Sequence, residues 1–563
     1  MALHLRWGQK DNLTMAIYTL RDLYIQSVGS YASRCMSSMY GGESQTYAGF
    51  SDKVEATAEL FRLAGLSSGD KVALLSNNMP NWAVSYFAAV TSGLIIVPIL
   101  PDFSTPELDM IIKHCGAKAL CCSDKLYTKV SKETIDGLNV VLRTKNCGIT
   151  YMKEGVEPGK FTPPKPDDVA AIIYTSGTTS KPKGVMLTHA NLVAQIEMDY
   201  DLFNVFQSDV FLSILPLSHT YECSLGMLLP FYSGASVVYL DKLPTASTLM
   251  PAMRDVRPTI MLSVPLIIEK IYKSQVRAKF MKNETLKKMY GWPWFRKLVH
   301  RMAGKKLRAI FGGRLRFFGI GGAKLDFDTE QFLVESKAPY GIGYGLTETA
   351  PLLAGGVPGN IRFRSTGKIL SRIEARLENL NVETGEGEIV VLSPSTMKGY
   401  YENPSATKDV FTEDGWFRTK DIGRFDSEGN LYILGRVGNM IVGPNGENIY
   451  PEEIESVINS HFLVTDSIVK ENNGKLIAHV HFNRFELERR YHDLKDSINS
   501  RMAEIRSELK AYVNSKVSKS SQIAEIEEQE NGFEKTPTQK IRRFKYVNPK
   551  PLKKVNENPK KKQ

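Results

Sequence analysis

Long uninterrupted apolar runs are missing from this chain. The most apolar stretch, residues 86–100, is broken by Thr91, Ser92, Gly93 and Pro98 and is too short to span a bilayer. The opening MALHLRWGQKDNL has no apolar h-region, so secretion is not expected, and any membrane contact should be peripheral. Cysteine is sparse: six residues (Cys35, Cys115, Cys121, Cys122, Cys147 and Cys223) with no CxxC spacing. That argues against a thiolate metal centre or a disulfide framework and points to buried thiols in a reducing, cytoplasmic setting. Internal repeats are absent, and the basic residues are not interleaved with a recognisable RNA or DNA motif. Nucleic acid is therefore not an expected partner, and a non-catalytic polyanion-binding module is only a remote alternative, despite a formal charge of +11. Much of that excess lies toward the C-terminus, from Lys540, Arg542, Arg543 and Lys545 to Lys560, Lys561 and Lys562. Residues 548–563 read as a disordered basic tail, with contact to an anionic membrane at its inner face as the lesser alternative.

What is present is globular material: 42% hydrophobic and 24% charged residues over 563 positions, enough for two or more domains. Apolar β-branched runs alternate with amphipathic segments over the first four hundred or so positions, as in residues 71–75, 82–92 and 94–99, which predicts α/β layering with buried strands. Near residue 420 the pattern changes to short strands and tight turns. Ser427-Glu428-Gly429-Asn430 precedes one apolar run, and Asn473-Gly474 separates two others, the signature of a type I′ hairpin. Leu487, Tyr491, Leu494, Ile498, Met502, Ile505, Leu509 and Tyr512 recur three or four residues apart and predict one helix over 485–517. It should pack on its own domain, with a partner-binding or membrane-surface role as the alternative.

The strongest chemical signal is YTSGTTSKPKG at 174–184, after an apolar strand at 169–173 and before a helix starting near Thr188. Gly177 and Gly184 allow close backbone approach. Thr175, Ser176, Thr178 and Thr179 offer hydroxyl donors, and Lys181 and Lys183 add positive charge, which together suit a polyphosphate. It is not a Walker A loop, because Val185 follows where GK[ST] is required. In isolation, a Ser/Thr/Gly loop is as often a plain surface turn.

Further segments follow in order: TYAGFSDKV from Thr46, LPLSHTYE from Leu215, GIGGAKL from Gly319, YGLTETAP from Tyr344, GYY from Gly399, DGWFRTKDIG from Asp414, LGRVGNMIV from Leu434, NGENIYPEEIE from Asn445 and FEKTPTQKIRR from Phe533. With them the sequence resembles the adenylate-forming (AMP-binding) superfamily of acyl-CoA synthetases, peptide-synthetase adenylation domains and luciferases over nearly its whole length. The resemblance implies a large multi-sheet α/β domain over 1–435, a hinge at 436–439 and a small mobile α+β domain over 440–547. It implies ATP and Mg as cofactors and coenzyme A as co-substrate. Glu348 would hold Mg, Thr347 would bond the α-phosphate, and Tyr344, Gly345, Gly321, Gly322 and Ala323 would line the adenine pocket. Asp421 would accept the ribose hydroxyls and Arg436 would contact ribose and phosphate. Lys540 would reach the reacting carboxylate and α-phosphate, where its charge offsets the charge developing on phosphorus. His219 would wall the acyl carboxylate, gating rather than exchanging protons, since an ionised acid has no proton to lose. Asn445, Gly446 and Asn448 would form the loop presented for thiol attack. RPTIMLSVPLIIEKIY at 257–272 is similar to the RPT-VP-EKIY segment of long-chain acyl-CoA synthetases, which implies a fatty acid substrate. An acyl carrier protein as acceptor, or another carboxylic acid as substrate, stays open.

Three positions depart from the family pattern. Asn439 stands in place of the hinge Asp or Lys and follows an added Gly438, Asn445 replaces a usual glycine, and Gln539 stands where glycine commonly precedes the lysine. None removes a charged catalytic group, so an active enzyme is expected, with the departures bearing on rate and domain kinetics.

Overall fold

The computed structural model describes residues 16–175, 182–240, 245–277, 284–443, 447–491, 498–536 and 540–547. Two large sheets organise the first four hundred or so residues, as the alternation predicts. One has eight strands, running in space from Gly399–Tyr400 through Lys183–Thr188, Val169–Thr175, Ile95–Pro98, Lys71–Leu75, Ala117–Cys122 and Val140–Arg143 to Gly148–Met152. The other has nine, and its centre is parallel: Ser236–Tyr239, Val210–Ser213, Ile260–Ser263, Phe317–Ile320 and Tyr340–Gly345. Such strands are apolar on both faces because helices cover both. Helix Pro80–Thr91 shows why the layers cohere: every residue from Trp82 to Thr91 is buried, which only a helix sandwiched on all sides tolerates. Its Phe87 meets Phe231 at a 4.5 Å ring separation and Tyr24 at 5.7 Å, joining distant parts of the chain in one aromatic core. At residues 71–75, 82–92 and 94–99, strand, helix and strand fall where the sequence predicts them, to within two residues.

The segment after the phosphate motif differs from expectation. Between that motif and the helix His189–Leu202, which Thr188 caps, lies a further strand, Lys183–Thr188, antiparallel to Val169–Thr175. Thr175 is paired to Lys183, so strands flank the motif on both sides, and the helix expected near Thr188 follows the second of them.

A four-stranded antiparallel sheet follows (Glu374–Asn381, Glu386–Leu392, Phe417–Phe425, Leu431–Arg436). After it, residues from Ile449 to Ile526 form an apolar cluster of their own. Strands Val464–Asn472 and Lys475–Phe482 pair up to Asn472 opposite Lys475. The intervening Asn473 and Gly474 sit at φ 50° and 76°, the two positive values a type I′ turn requires. Helix is described over Arg484–Tyr491 and Ile498–Asn514. The residues between lie outside the described set, and the second helix stops three residues short of Val517. Leu487, Met502, Ile505 and Leu509 are buried in the small cluster, so this stretch packs on its own domain. The tail over 548–563 also lies outside the described residues.

Candidate functional site

Strand Tyr340–Gly345 runs along the nine-stranded sheet and ends in a single 3-10 turn, Thr347–Thr349. That turn delivers Glu348 to the seam between the two large sheets. Across the seam, Gly399–Tyr400 is the edge strand beside Lys183–Thr188, with Tyr400 opposite Val185. The Tyr400 hydroxyl donates to Glu348 Oε1 at 2.8 Å, and the Met397 amide donates to the Glu348 carbonyl at 2.8 Å. Lys183 Nζ lies 5.1 Å from the Tyr400 ring centroid. One side chain, Tyr400, thus links the end of the phosphate motif to Glu348. Sequence reasoning quoted the GYY segment but gave Tyr400 no part; the signal was an aromatic hydroxyl on a two-residue strand.

A second cluster grows from the four-stranded sheet. Asp421 and Arg436 are cross-strand partners on Phe417–Phe425 and Leu431–Arg436, and Arg436 Nε donates to Asp421 Oδ1 at 2.7 Å. The Tyr344 hydroxyl donates to the other oxygen, Oδ2, at 2.9 Å. Asp421's charge holds the Arg436 guanidinium above its ordinary value, and burial pushes the Tyr344 phenol up. Tyr344 therefore spends its hydroxyl on Asp421 here.

The glycines have local causes. A Cβ at Gly321 would stand 3.2 Å from the Tyr221 ring, and one at Gly345 would run into the Pro351 carbonyl at 1.8 Å. Gly322 adopts φ 89°, which favours glycine, with only Val264 nearby at 3.8 Å, leaving open space. Ala323 follows in the same turn after strand Phe317–Ile320.

His219 is half-buried, and its Nδ1 accepts the Tyr221 amide at 3.2 Å, which puts the proton of the neutral ring on Nε2. Burial, then the charge of Lys540, lower its pKa to about 4. Next to it Glu222 is buried, its carboxyl pushed up to about 8 by burial, and its Oε2 has no hydrogen-bond partner among the described residues.

Lys540 arrives from the far end of the chain. Its backbone is tied to Thr536: the Thr536 amide donates to the Lys540 carbonyl at 2.7 Å, and the Lys540 amide donates back to Thr536 Oγ1 at 3.2 Å. Crowding by protein atoms and the charge of Arg436 lower its pKa, while Asp421 and Glu348 act against this. The Lys540 residue as a whole is nonetheless exposed. Thus Lys540, Glu348, Asp421, Arg436 and His219 share one electrostatic neighbourhood.

The small domain is held in this position by polar contacts. Arg542 pairs with Glu107 at 3.0 Å, Lys324 with Glu453 at 2.8 Å, and Arg277 with Asp328 at 3.1 Å while also donating to the Ser460 carbonyl at 3.1 Å. Where the hinge is expected, Asn439 donates to Glu452, tying the Val437–Asn439 turn to helix Pro451–Ser460. Of the other expected site residues, Ser176, Gly177, Thr178, Thr179, Lys181, Asn445, Gly446 and Gln539 lie outside the described residues. Asn448 sits on the short strand Asn448–Ile449, paired with Ile441–Val442, and makes none of the hydrogen bonds around Glu348 and Asp421.

The AMP-binding enzyme family matches residues 30–401, and the chain belongs to that family. It is 30% identical over 471 residues to long chain acyl-CoA synthetase 6, peroxisomal, of Arabidopsis thaliana, covering 74% of this chain and 65% of that protein. Long chain acyl-CoA synthetase 1 of the same plant is 30% identical over 473 residues, covering 75% of this chain and 71% of its own length. The long-chain-fatty-acid--CoA ligase FadD15 of Mycobacterium tuberculosis is 28% identical, covering 75% and 74%. The fold is shared with the O-succinylbenzoate coenzyme A synthetase of Bacillus subtilis in complex with ATP and magnesium ion, at TM-score 0.73, 23% identity and coverage of 92% and 98%. It is shared too with the anthranilate CoA ligase AuaEII in complex with anthranoyl-AMP, at TM-score 0.75, 20% identity and coverage of 94% and 97%.

Proposed function

We propose that the protein is an AMP-forming long-chain fatty acid-CoA ligase. The fatty carboxylate attacks the α-phosphorus of ATP, the bond to the bridging oxygen breaks, and pyrophosphate leaves. The CoA thiol, as thiolate, then attacks the acyl carbonyl, and AMP leaves as the thioester forms. Support comes above all from the convergence of Lys540 on Glu348, Asp421 and Arg436. A cation there draws two anions together and offsets charge building up on phosphorus.

Asp421, oriented by Tyr344 and Arg436, would accept the ribose hydroxyls, and Arg436 would face the α-phosphate side. Thr175, Ser176, Gly177, Thr178, Thr179 and Lys183 would run along the triphosphate, Thr347 would bond the α-phosphate, and Gly321, Gly322, Ala323 and Gly345 would leave room for the base. Glu348 fits a magnesium ion: one carboxylate oxygen carries the Tyr400 hydroxyl and no cation pairs with the group among the described residues. No cluster of three ligating side chains surrounds it there, so phosphate and water oxygens would complete the shell. Magnesium, when bound, neutralises charge on the phosphate oxygens. His219, neutral and fixed by the Tyr221 amide, acts as a wall and gate. For the thiol step the small domain would turn about 436–439, withdrawing Lys540 and presenting Asn445, Gly446 and Asn448.

Exchange of labelled pyrophosphate into ATP, with palmitate or oleate set against benzoate, tests the first step. No exchange with any fatty acid rejects the proposal. The long-chain choice draws on the named plant and mycobacterial relatives, the acceptor on the same names. Running the second step with free CoA against acyl carrier protein decides the acceptor.

A further inference from the structure

Helix Pro293–Ile310 carries no Asp or Glu but holds Arg296, Lys297, Arg301, Lys305, Lys306 and Arg308. One face is structural. Val299, His300, Gly304 and Leu307 are buried, and both Arg296 and His300 bind Glu335, at 2.9 and 2.7 Å. The opposite face is unlike a solvated helix. Trp294, Leu298 and Met302, four residues apart in one row, are 63%, 50% and 65% exposed. Trp292, 52% exposed, stacks on Trp294 with ring centroids 6.0 Å apart. A second row, Lys297, Arg301 and Lys305, runs beside the first at the same spacing. All three are exposed, and none has an ion-pair partner among the described residues.

Single exposed apolar side chains are ordinary, but a continuous row headed by stacked tryptophans marks a surface that meets something. The neighbouring cations require that partner to be anionic. Tryptophan and long basic chains on one helix face suit the boundary of a bilayer, where indole rings sit at headgroup level and lysine stems extend to anionic headgroups. Crossing the bilayer is not implied, since no described helix is long and apolar enough for that.

We propose that the Trp294–Leu298–Met302 face of this helix docks in the plane of an anionic lipid bilayer, with Lys297, Arg301 and Lys305 on its headgroups. The test is flotation of the full chain with phosphatidylcholine vesicles, with and without phosphatidylserine. Two triple variants accompany it: Lys297→Gln with Arg301→Gln and Lys305→Gln, and Trp294→Ser with Leu298→Gln and Met302→Gln. Wild type should bind the phosphatidylserine vesicles, more weakly as salt rises, with its tryptophan emission shifting to the blue. The charge triple should lose about 100-fold in affinity, some fivefold per cation, and the apolar triple about tenfold or more. Both should keep wild-type acyl-AMP formation with detergent-dispersed palmitate, which shows that they fold. Wild type that ignores vesicles overturns the proposal in favour of an acidic protein partner. Wild-type binding by either triple overturns it too, placing the contact elsewhere, such as the basic tail.

Discussion

The two halves of the site are built differently. On and next to the large domain two sets are already bonded through strand ends and a cross-strand pair: Tyr400 with Glu348, and Tyr344 and Arg436 with Asp421. The small domain brings the exposed Lys540 and is kept in place by ion pairs at the domain boundary. On the proposed function, dipoles set in advance would bind a nucleotide without reorganisation, whereas the group needed only while phosphorus reacts would arrive on a part that can leave. The division of labour suits an active site that must perform two different steps in turn.

The sharpest way to break this comparison is Lys540→Ala. It should cut the adenylation rate about 10²- to 10³-fold, the usual cost of one transition-state charge. Conversion of preformed acyl-AMP to thioester should stay near wild type. An equal loss in both half-reactions would mean that Lys540 belongs to the fixed half after all.

Asp421→Ala should act on binding instead. Losing a charge-assisted ribose partner raises the KM for ATP about 10- to 100-fold. It also leaves Arg436 without its partner, costing stability of about 1–2 kcal/mol, since the guanidinium is 44% exposed and still reaches water. Initial rates over an ATP series, with a urea melt, separate the two effects. A loss of kcat with KM unchanged would contradict the assignment.

Much of this was legible in the sequence, and the limits have physical reasons. The hairpin at Asn473-Gly474 and the strand-helix-strand at 71–99 are local: turn chemistry and period decide them. Strand Lys183–Thr188 was missed because the capping signal at Thr188 is stronger than a short run whose partner lies across the loop. Family segments pointed to Asp421 and Tyr344 separately, but their bond spans 77 positions, and no spacing rule connects them. Tyr400 acts through Glu348, and Arg542 through Glu107 at a separation of 435 positions. Such pairings exist only once the sheets and domains are assembled.

A smaller effect is expected at His219. With its pKa lowered to about 4, the ring is neutral across the working range, so His219→Asn should slow adenylation less than about tenfold and leave the shape of the pH–rate profile between about pH 6 and 8 unchanged. The burial has a stability counterpart shared with His189, also lowered to about 4, whose Nδ1 accepts the Leu20 amide. Both rings bind fewer protons folded than unfolded between pH 4 and the ordinary histidine value of about 6.5, so stability falls as pH drops through that window. Thermal melts across it should show the decline, and His189→Asn should lessen it. An acid limb near pH 6.5 in the rate profile that vanishes in His219→Asn would instead make His219 a proton carrier.

The gentlest probe addresses how the small domain is held. Arg542 and Glu107 are 21% and 25% exposed, and Glu107 also caps helix Thr105–Cys115 with Ser104, so the pair joins the small domain to a helix start on the large one. Its worth is about 1 kcal/mol, because water reaches both partners. Arg542→Gln should therefore slow adenylation about fivefold, and Glu107→Gln should do the same with little further loss in the double variant, since each removes the same bond. The thiol step, for which the proposed rotation would break this contact, should be unchanged or slightly faster. Added salt should reproduce part of the effect in wild type and none in the double variant. If the double variant instead loses the product of two independent fivefold effects, the two residues act separately and the ion pair is not what holds Lys540 over the fixed half.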